Sequence, residues 1–318
     1  LEALEADPDP ILARLRAEEP VCWVPALEMW LVTRWADVAV VEDHPEWFTA
    51  ATEPSFLARA LGPNLLTCDP PEHSRLAAIL SPPFTSGGRS GPFAAAELPE
   101  LADRLLDTVD PTGFDLVADY AQPLSAAALA TVLGLDAHGH ERMWTWCEGL
   151  CADIANFAND PELTALGEAA KAELGEAIAA RVAQAQAAPD GADDSAIAAF
   201  VGGGATPDEI VNNVRLMISG GINEPRDGIG LVTWVLLTRP DLRARIDAEP
   251  RRLRRLVEEV LRVHSPVGTV TRQTTTEVEV GGVTIPAGEL VAGVLRLSLI
   301  HISEPTRLLR RSRMPSSA

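Results

Sequence analysis

The chain has 318 residues, 47% hydrophobic and 23% charged, enough for two ordinary domains or one large fold with a sizeable core. Its 26 Lys and Arg stand against 46 Asp and Glu, a formal charge of -20, which repels nucleic acid and leaves a small molecule or a protein as partner. No apolar run approaches the roughly 20 residues of a membrane-spanning helix, and the four scattered cysteines exclude a secreted disulfide scaffold, so a cytoplasmic protein is expected.

The opening LEALEADPDPILARLRAEEP predicts a short helix that begins at Leu1 in mid-pattern, as the front end of a fragment would. VCWVPA and MWLVTR predict two strands around a turn at Pro25 to Leu27, hence a small N-terminal sheet. Helical spacing resumes in WADVAVVEDHPEWF. Residues 52–72, rich in Pro, Gly and Asn, predict a long irregular connection ending in CDPPEH. Helices are then predicted over 72–80, 94–108, 114–134, 137–158, 163–187, 207–238, 241–248 and 251–263, bounded by Pro, Gly or Asp. The best-defined begins at Thr206-Pro207-Asp208-Glu209, where Thr206 is placed as N-cap and Glu209 completes a capping box. Ending before Pro240, it would run roughly 48 Å, long enough to cross a domain. After His264-Ser265-Pro266, the segment TTTEVEVGGVTI predicts a hairpin about Gly281-Gly282. The fold class is mainly α with a small β-sheet region.

The composition breaks after residue 295. Residues 1–295 carry a net -24, whereas the last 23 hold five arginines and one acid. That tail has no clean amphipathic period and resembles translated adapter DNA, so the organisation is read as one domain over 1–295 and a non-native basic tail over 296–318.

Chemistry is expected first in the long helix, at SGGINEPRD from Ser219 to Asp227. Pro225 has no amide hydrogen to give the carbonyl of Gly221, and Gly220 and Gly221 weaken the same turn, which predicts an interrupted, kinked helix where something small can bind. No cation three or four residues from Glu224 can pair with it. Burial and nearby Asp227 would both raise its pKa, as suits a proton donor. On these residues alone, a kink kept for packing with Glu224 turned to solvent is the plainer account. Glu259 and Arg262 stand three apart on a helix and can meet, as ordinary helix pairs do, with Arg254 and Arg255 as competitors. His73 and Arg75, at a proline-led helix start, suit an anion or merely a solvated face. Cys147 and Cys151, four apart and preceded by His138 and His140, mimic a metal site, but buried small hydrophobes are the expectation and no metal is assigned. Trp144 and Trp146 are expected to pack. No phosphate-binding glycine loop, nucleophile elbow or HExxH occurs.

Taken in order, DPPEHSRL, the helix with GGINEPRD, EEVLR, HSPVGTVTRQT and VGGVTIPAGE resemble a bacterial cytochrome P450 over about residues 1–295. The resemblance implies a haem-thiolate monooxygenase that places one oxygen of O2 into a small apolar substrate with electrons from a ferredoxin-type donor, without nucleic acid or membrane. It makes Glu259 and Arg262 the family's structural pair, His73 and Arg272 the haem-propionate partners, and Gly220 to Glu224 the oxygen-binding groove. The family's relay threonine aligns with Glu224 and its neighbouring acid with Asn223, so those two are the expected catalytic residues in a rearranged relay. Ala77 stands where a second propionate-binding arginine is usual. The cysteine loop that supplies the axial ligand has no match among Cys22, Cys68, Cys147 and Cys151, so the 318 residues themselves are expected to be inactive. The alternative is a haem-free helical binding or regulatory protein derived from the same fold. By the same resemblance, the loop 52–68 and the helix 137–158 roof the substrate pocket, with Phe56, Leu57, Leu61, Trp144 and Trp146 as an apolar lining, and Arg75 helps to dock the electron donor.

Overall fold

A computed structural model describes residues 8–189 and 191–295, so residues 1–7 of the first predicted helix and the whole tail 296–318 lie outside the described residues. The chain divides into two units. One holds residues 8–54 and 231–295, the other residues 55–230.

The first unit is built on a five-stranded sheet. Strands β1 (Val21–Val24) and β2 (Met29–Val32) follow helix α1 (Pro8–Glu18) and pair antiparallel around the predicted turn, with Val24 opposite Met29. Helix α2 (Trp35–Asp43) and the two-residue strand β3 (Phe48–Thr49) come next. After the end of the long helix come α11 (Pro240–Ala248) and α12 (Leu253–Val263), then β4 (Thr269–Thr274). A separate hairpin joins β5 (Val278–Val280) to β6 (Val283–Ile285), and β7 (Leu290–Val294) completes the sheet in the order β1-β2-β7-β4-β3. The predicted hairpin forms because Gly281 and Gly282 both take positive φ, 59° and 82°, which a two-residue turn between right-twisted strands requires. Val21, Val32, Val38, Val41, Phe48, Val280, Ile285 and Val291 form the core of this unit. In the register of β4 with β7, Arg272 stands opposite Val291, whose own side chain is buried.

The second unit is helical. The predicted irregular connection 52–72 is corrected here, since it contains helix α3 (Phe56–Leu61) and a 3-10 turn at Leu65–Thr67. The Ser55 hydroxyl accepts from the Ala58 amide at 3.1 Å, enough to start a helix too short to show a period. Next come α4 (Glu72–Leu80), α5 (Leu98–Leu106), α6 (Gln122–Leu133), α7 (Gly139–Ile154), α8 (Pro161–Ala187), α9 (Ala196–Gly202) and α10 (Pro207–Thr238), the last belonging to this unit through Gly230. Residues 93–97 and 116–121, read as ordinary helix from their spacing, are π-helical turns leading into α5 and α6.

Helix α10 has the predicted bounds and the predicted capping box: the Thr206 amide donates to Glu209 Oε2 at 2.8 Å and the Glu209 amide donates to Thr206 Oγ1 at 3.3 Å. The predicted interruption does not divide it. One helix runs through Pro225, which is exposed and has no amide hydrogen to give the Gly221 carbonyl. Ile210, Val214, Ile218 and Ile222 recur every four residues as a fully buried stripe, each contributing roughly 1.5–3 kcal/mol by leaving water. The stripe enters a core with Leu133 of α6, Met143, Trp146 and Leu150 of α7, and Leu174 and Ile178 of α8. Buried Asn213 ties the helix to the preceding turn, accepting from the Leu65 amide at 2.9 Å and donating to the Glu209 carbonyl at 2.8 Å. The expectation that no apolar run approaches membrane-spanning length is corrected at residues 116–133, the one described stretch that is long and apolar enough to cross a bilayer. Leu124, Ala126, Ala130 and Leu133 of that stretch are buried in the helical core.

Candidate functional site

Side chains on a helix lean towards its N-terminus. On α10 this lays the Glu224 carboxylate back over Gly220, where an added Cβ would come within 3.4 Å of both carboxylate oxygens. Gly221 has a different reason to be small, since a Cβ there would approach Leu129 Cδ2 of α6 to 3.2 Å. The two predicted glycines therefore do separate work: one gives room to a carboxylate, the other to a neighbouring helix.

Glu224 is half-buried and its Oε2 is shielded from solvent without a hydrogen-bond partner among the described residues. Burial pushes its carboxyl above the ordinary range, its own backbone hydrogen bond opposes this, Asp227 adds to the rise and Arg226 offsets part of it. Arg226 does not pair with Glu224. It donates to Asp227 Oδ1 at 2.8 Å and lies over the Trp144 ring at 4.9 Å from the centroid. The expectation that Glu224 is turned to solvent is thus corrected, and the carboxyl is poised to hold a proton. Because its folded pKa is raised, the stability it contributes is full below the ordinary carboxyl pKa of about 4 and is lost as pH rises through the folded value. Glu224→Gln removes this loss. Thermal unfolding across a pH series is expected to show the variant about 1 kcal/mol more stable than the parent at pH 8 and the two converging near pH 4; parallel curves would mean that the carboxylate is solvated.

Asn223 points elsewhere. Its Nδ2 donates towards Cys151 Sγ at 3.0 Å, Cys147 Sγ at 3.4 Å and the Ser219 carbonyl at 3.0 Å. The hydrogen bond between the two thiols is the largest influence on both: it holds Cys147 far above the usual thiol value and Cys151 below it, with Asn223 helping to lower Cys151. Burial, with Glu72 and Asp69 adding to it, pushes Cys68 up to about 11, and burial followed by Glu19 raises Cys22.

His73 sits in the first turn of α4, partly buried, with its amide donating to the Asp69 carbonyl at 3.0 Å and no side-chain hydrogen bond among the described residues. Arg75 is not the free docking cation expected of it. Its guanidinium forks onto Glu72 at 2.9 and 2.6 Å and also reaches Glu209, so three charges there leave a net negative surface. Ala77, one turn after His73, is turned into the core.

In the first unit, Arg262 donates to Glu259 through Nε at 2.7 Å and Nη2 at 2.6 Å, a fork that outcompetes Arg254, which takes Glu258 at 3.3 Å. Arg272 on β4 donates to Glu42 Oε2 of α2 at 3.2 Å. The other oxygen of Glu42 is buried without a partner among the described residues, and burial pushes this carboxyl up against the lowering pull of Arg272 and with that of Asp43. The site residues are therefore shared out: His73, Gly220, Gly221, Asn223 and Glu224 lie in the helical unit, and Glu259, Arg262 and Arg272 in the sheet unit.

The expected apolar lining is corrected in part. Leu61 and Trp146 are 0% and 1% exposed and belong to the core. Phe56 packs edge-on to Phe157 at 4.8 Å, and Leu57 and Trp144 lie partly buried at the edge of the core. Arg59, which no sequence pattern singled out, fastens α3 to the end of α7 by donating to the carbonyls of Asp153 and Asn156, both at 3.0 Å. Its one available signal was a basic residue in the last turn of a short apolar helix. A groove of about 520 Å³ in the sheet unit, among Glu18, Trp23, Trp30, Arg34 and Val283, contains none of the predicted site residues. No cluster of three or more metal-ligating side chains occurs among the described residues.

Comparison with known proteins places these observations. The family model described as Cytochrome P450 matches residues 251–301. The chain is 31% identical over 305 residues to cytochrome p450 CYP199A2 of Rhodopseudomonas palustris, covering 90% of this chain and 70% of that protein. It is 30% identical over 298 residues to the vitamin D(3) 25-hydroxylase of Pseudonocardia autotrophica, covering 90% and 72%, and 30% identical over 309 residues to the monooxygenase PikC of Streptomyces venezuelae, covering 91% and 71%. Among solved structures, ligand-free cytochrome P450 TbtJ1 superposes with a TM-score of 0.83 at 25% identity, covering 95% of this chain and 79% of that one. CalO2 does so with a TM-score of 0.84 at 24% identity, covering 99% and 82%.

Proposed function

This chain belongs to the cytochrome P450 family, and from that premise we propose that it serves a reaction in which one oxygen atom of O2 enters a small apolar substrate in the bacterial cytoplasm. The family's cofactor is haem, and its members are monooxygenases. The observation that carries the reading is Glu224: a shielded carboxyl with one oxygen unpartnered among the described residues, at the turn of the long helix that the sequence resemblance makes the oxygen groove.

The donor set suits part of the cofactor. A haem carries two propionate carboxylates, and the chain holds residues of the kind that pair with them: the His73 imidazole, which has no side-chain partner among the described residues, and the Arg272 guanidinium, which already engages a carboxylate. No cysteine suits the axial position. Cys147 and Cys151 are taken up with each other, Asn223 and Ser219, Cys68 donates to the Leu65 carbonyl at 3.7 Å, and Cys22 is buried in β1. The haem, when bound, supplies oxygen activation and transfer. The chain's own residues do the rest. Glu224 holds a proton at Oε2 for delivery, Asn223 secures the preceding turn through the Ser219 carbonyl, and Trp144 with Phe56 and Leu57 keep water from an apolar substrate. Glu259 and Arg262 stiffen α12. A ferredoxin-type electron donor must dock without Arg75, whose charge is already spent on Glu72 and Glu209. The segment 1–295 acts as the P450 domain, and the 318 residues on their own turn nothing over.

Hemin titration of the purified chain, followed by absorbance, tests this. Saturable binding is expected, weakened about tenfold by His73→Ala and by Arg272→Ala, as loss of one charge-assisted hydrogen bond implies. The reduced, CO-treated complex should lack a thiolate spectrum. A stable thiolate spectrum overturns the inactivity. No hemin binding at all favours the haem-free binding or regulatory protein, to which the engagement of Cys68, Cys147 and Cys151 already gives support.

A further inference from the structure

We propose that Cys147 and Cys151 form a two-thiol site for a soft monovalent cation of the Cu(I) class, held between α7 and α10 and assembled without haem. The two residues stand four apart on α7 and so share one face of the helix. Both sulfurs converge on the same groups of the facing helix. The Asn223 Nδ2 lies 3.4 Å from Cys147 Sγ and 3.0 Å from Cys151 Sγ, and the Ser219 carbonyl lies 3.8 and 3.6 Å from them. Cys147 is wholly buried and Cys151 only partly so, which leaves a protected pair with one open side.

Cys147 packs in the same core as Met143, Trp146 and Leu150, with Cys151 at its edge, but packing alone does not require two thiols to share the same polar partners. What the pair offers is chemical. Thiolates are soft ligands and select Cu(I) or zinc. Zinc wants four ligands in a tetrahedron, and no third His, Cys, Asp or Glu joins the pair among the described residues. Two sulfurs do suffice for a cation that accepts two-coordination. A disulfide is the rival chemistry. Residues four apart on a helix hold their Cβ atoms about 5–6 Å apart, whereas a disulfide needs about 3.5–4.5 Å, so direct closure must break the turn. A cation lying between the sulfurs spans that gap with the helix intact. Binding exchanges the two S–H protons, which leave to solvent, for two S–Cu bonds, and no electron is transferred. The resulting complex carries one negative charge. The Asn223 amide can donate to both sulfurs, and Arg226 acts favourably on each thiolate, while Glu224 opposes. Asn223 thus takes the outer role that orients metal ligands elsewhere.

Cu(I) is added anaerobically to the reduced, haem-free full chain in competition with bicinchoninate. One equivalent is expected to be withdrawn from the competitor. Asn223→Leu should weaken binding about tenfold, in the range for loss of an outer-sphere donor. Cys147→Ser and Cys151→Ser should each weaken it further, and Cys68→Ser should leave it unchanged. X-ray absorption at the copper edge of the parent chain needs no variant and should show two sulfur scatterers. No withdrawal from bicinchoninate, a nitrogen or oxygen shell, or binding that survives both serine variants would overturn the site. So would loss of binding in Cys68→Ser.

Discussion

Replacing Lys171 with methionine is expected to destabilise the chain by about 3–5 kcal/mol and to lower its Tm by an amount on the order of 10 °C. Lys171 on α8 donates to Asp153 Oδ2 of α7 at 2.8 Å, and the two side chains are only 13% and 6% exposed. Burial alone would lower the lysine pKa, but the hydrogen bonds that its ammonium donates to Asp153 and Glu168 outweigh it and the net shift is upwards. A raised folded pKa means that this stability is complete below the ordinary lysine value and is lost only as pH climbs through the folded one, so the pair is intact throughout the neutral range. Methionine keeps most of the lysine stem and removes the charge, leaving Asp153 buried and uncompensated. The carboxylate cannot escape by moving, because α8 is so close that a Cβ on Gly167 would meet Asp153 Cβ at 2.5 Å. Adding Asp153→Asn to the methionine variant should recover more than half of the loss, since the buried charge is then gone. Urea unfolding of the two single variants and the double variant measures the coupling; additive losses would show that the pair is solvated. The consequence reaches the site, because α7 carries Trp144, Cys147 and Cys151, and its seat on α8 fixes where they stand.

The long elements and their ends were legible because each rests on local chemistry. The bounds of α4 and α10 follow from proline-led starts and, for α10, a capping box that the structure forms as read. The Gly281-Gly282 turn follows from a need for positive φ that few other residues meet. Short elements were not legible for the converse reason. The six residues of α3 and seven of α9 give too few turns for a period, and each depends on a serine cap and on neighbours distant in sequence. The site divides in the same way. What could be foreseen of Glu224 is the part set by its own helix, namely Gly220 behind it, Asp227 ahead and no cation three or four residues away, whereas its burial, the main cause of the raised pKa, could not. The pairing of Arg75 with Glu209 joins residues 134 apart, and that of Arg272 with Glu42 joins residues 230 apart; neither leaves a trace in spacing. Asn223 shows the limit most clearly. Its alignment with an acid in the family's motif points to proton chemistry, while its contacts, made to cysteines more than 70 residues earlier, point to holding two helices together.

Helix α9 supplies the other large effect. Phe200 is fully buried, and its helix packs on α4, α6 and α8, yet it entered no sequence-based element. Phe200→Ala is expected to cost about 3–5 kcal/mol, the sum of lost transfer free energy and the cavity left behind, because helices on several sides limit collapse into the space. Phe200→Leu keeps most of the volume and should cost only about 1 kcal/mol. Urea midpoints with an unchanged slope would place the effect in the folded state; a loss below about 1 kcal/mol for the alanine variant would mean that the site collapses freely. The packing of α9 on α4 also gives the cavity a functional sign. His73 stands in the first turn of α4, and Leu76 and Leu80 of that helix enter the same core as Phe200. Loosening the floor beneath α4 should weaken hemin binding in Phe200→Ala even at temperatures where the variant is fully folded, and Phe200→Leu should restore it. Hemin affinity equal to the parent's in folded Phe200→Ala would show that the position of His73 is set by the Asp69 backbone bond and the start of its own helix, independently of the core below.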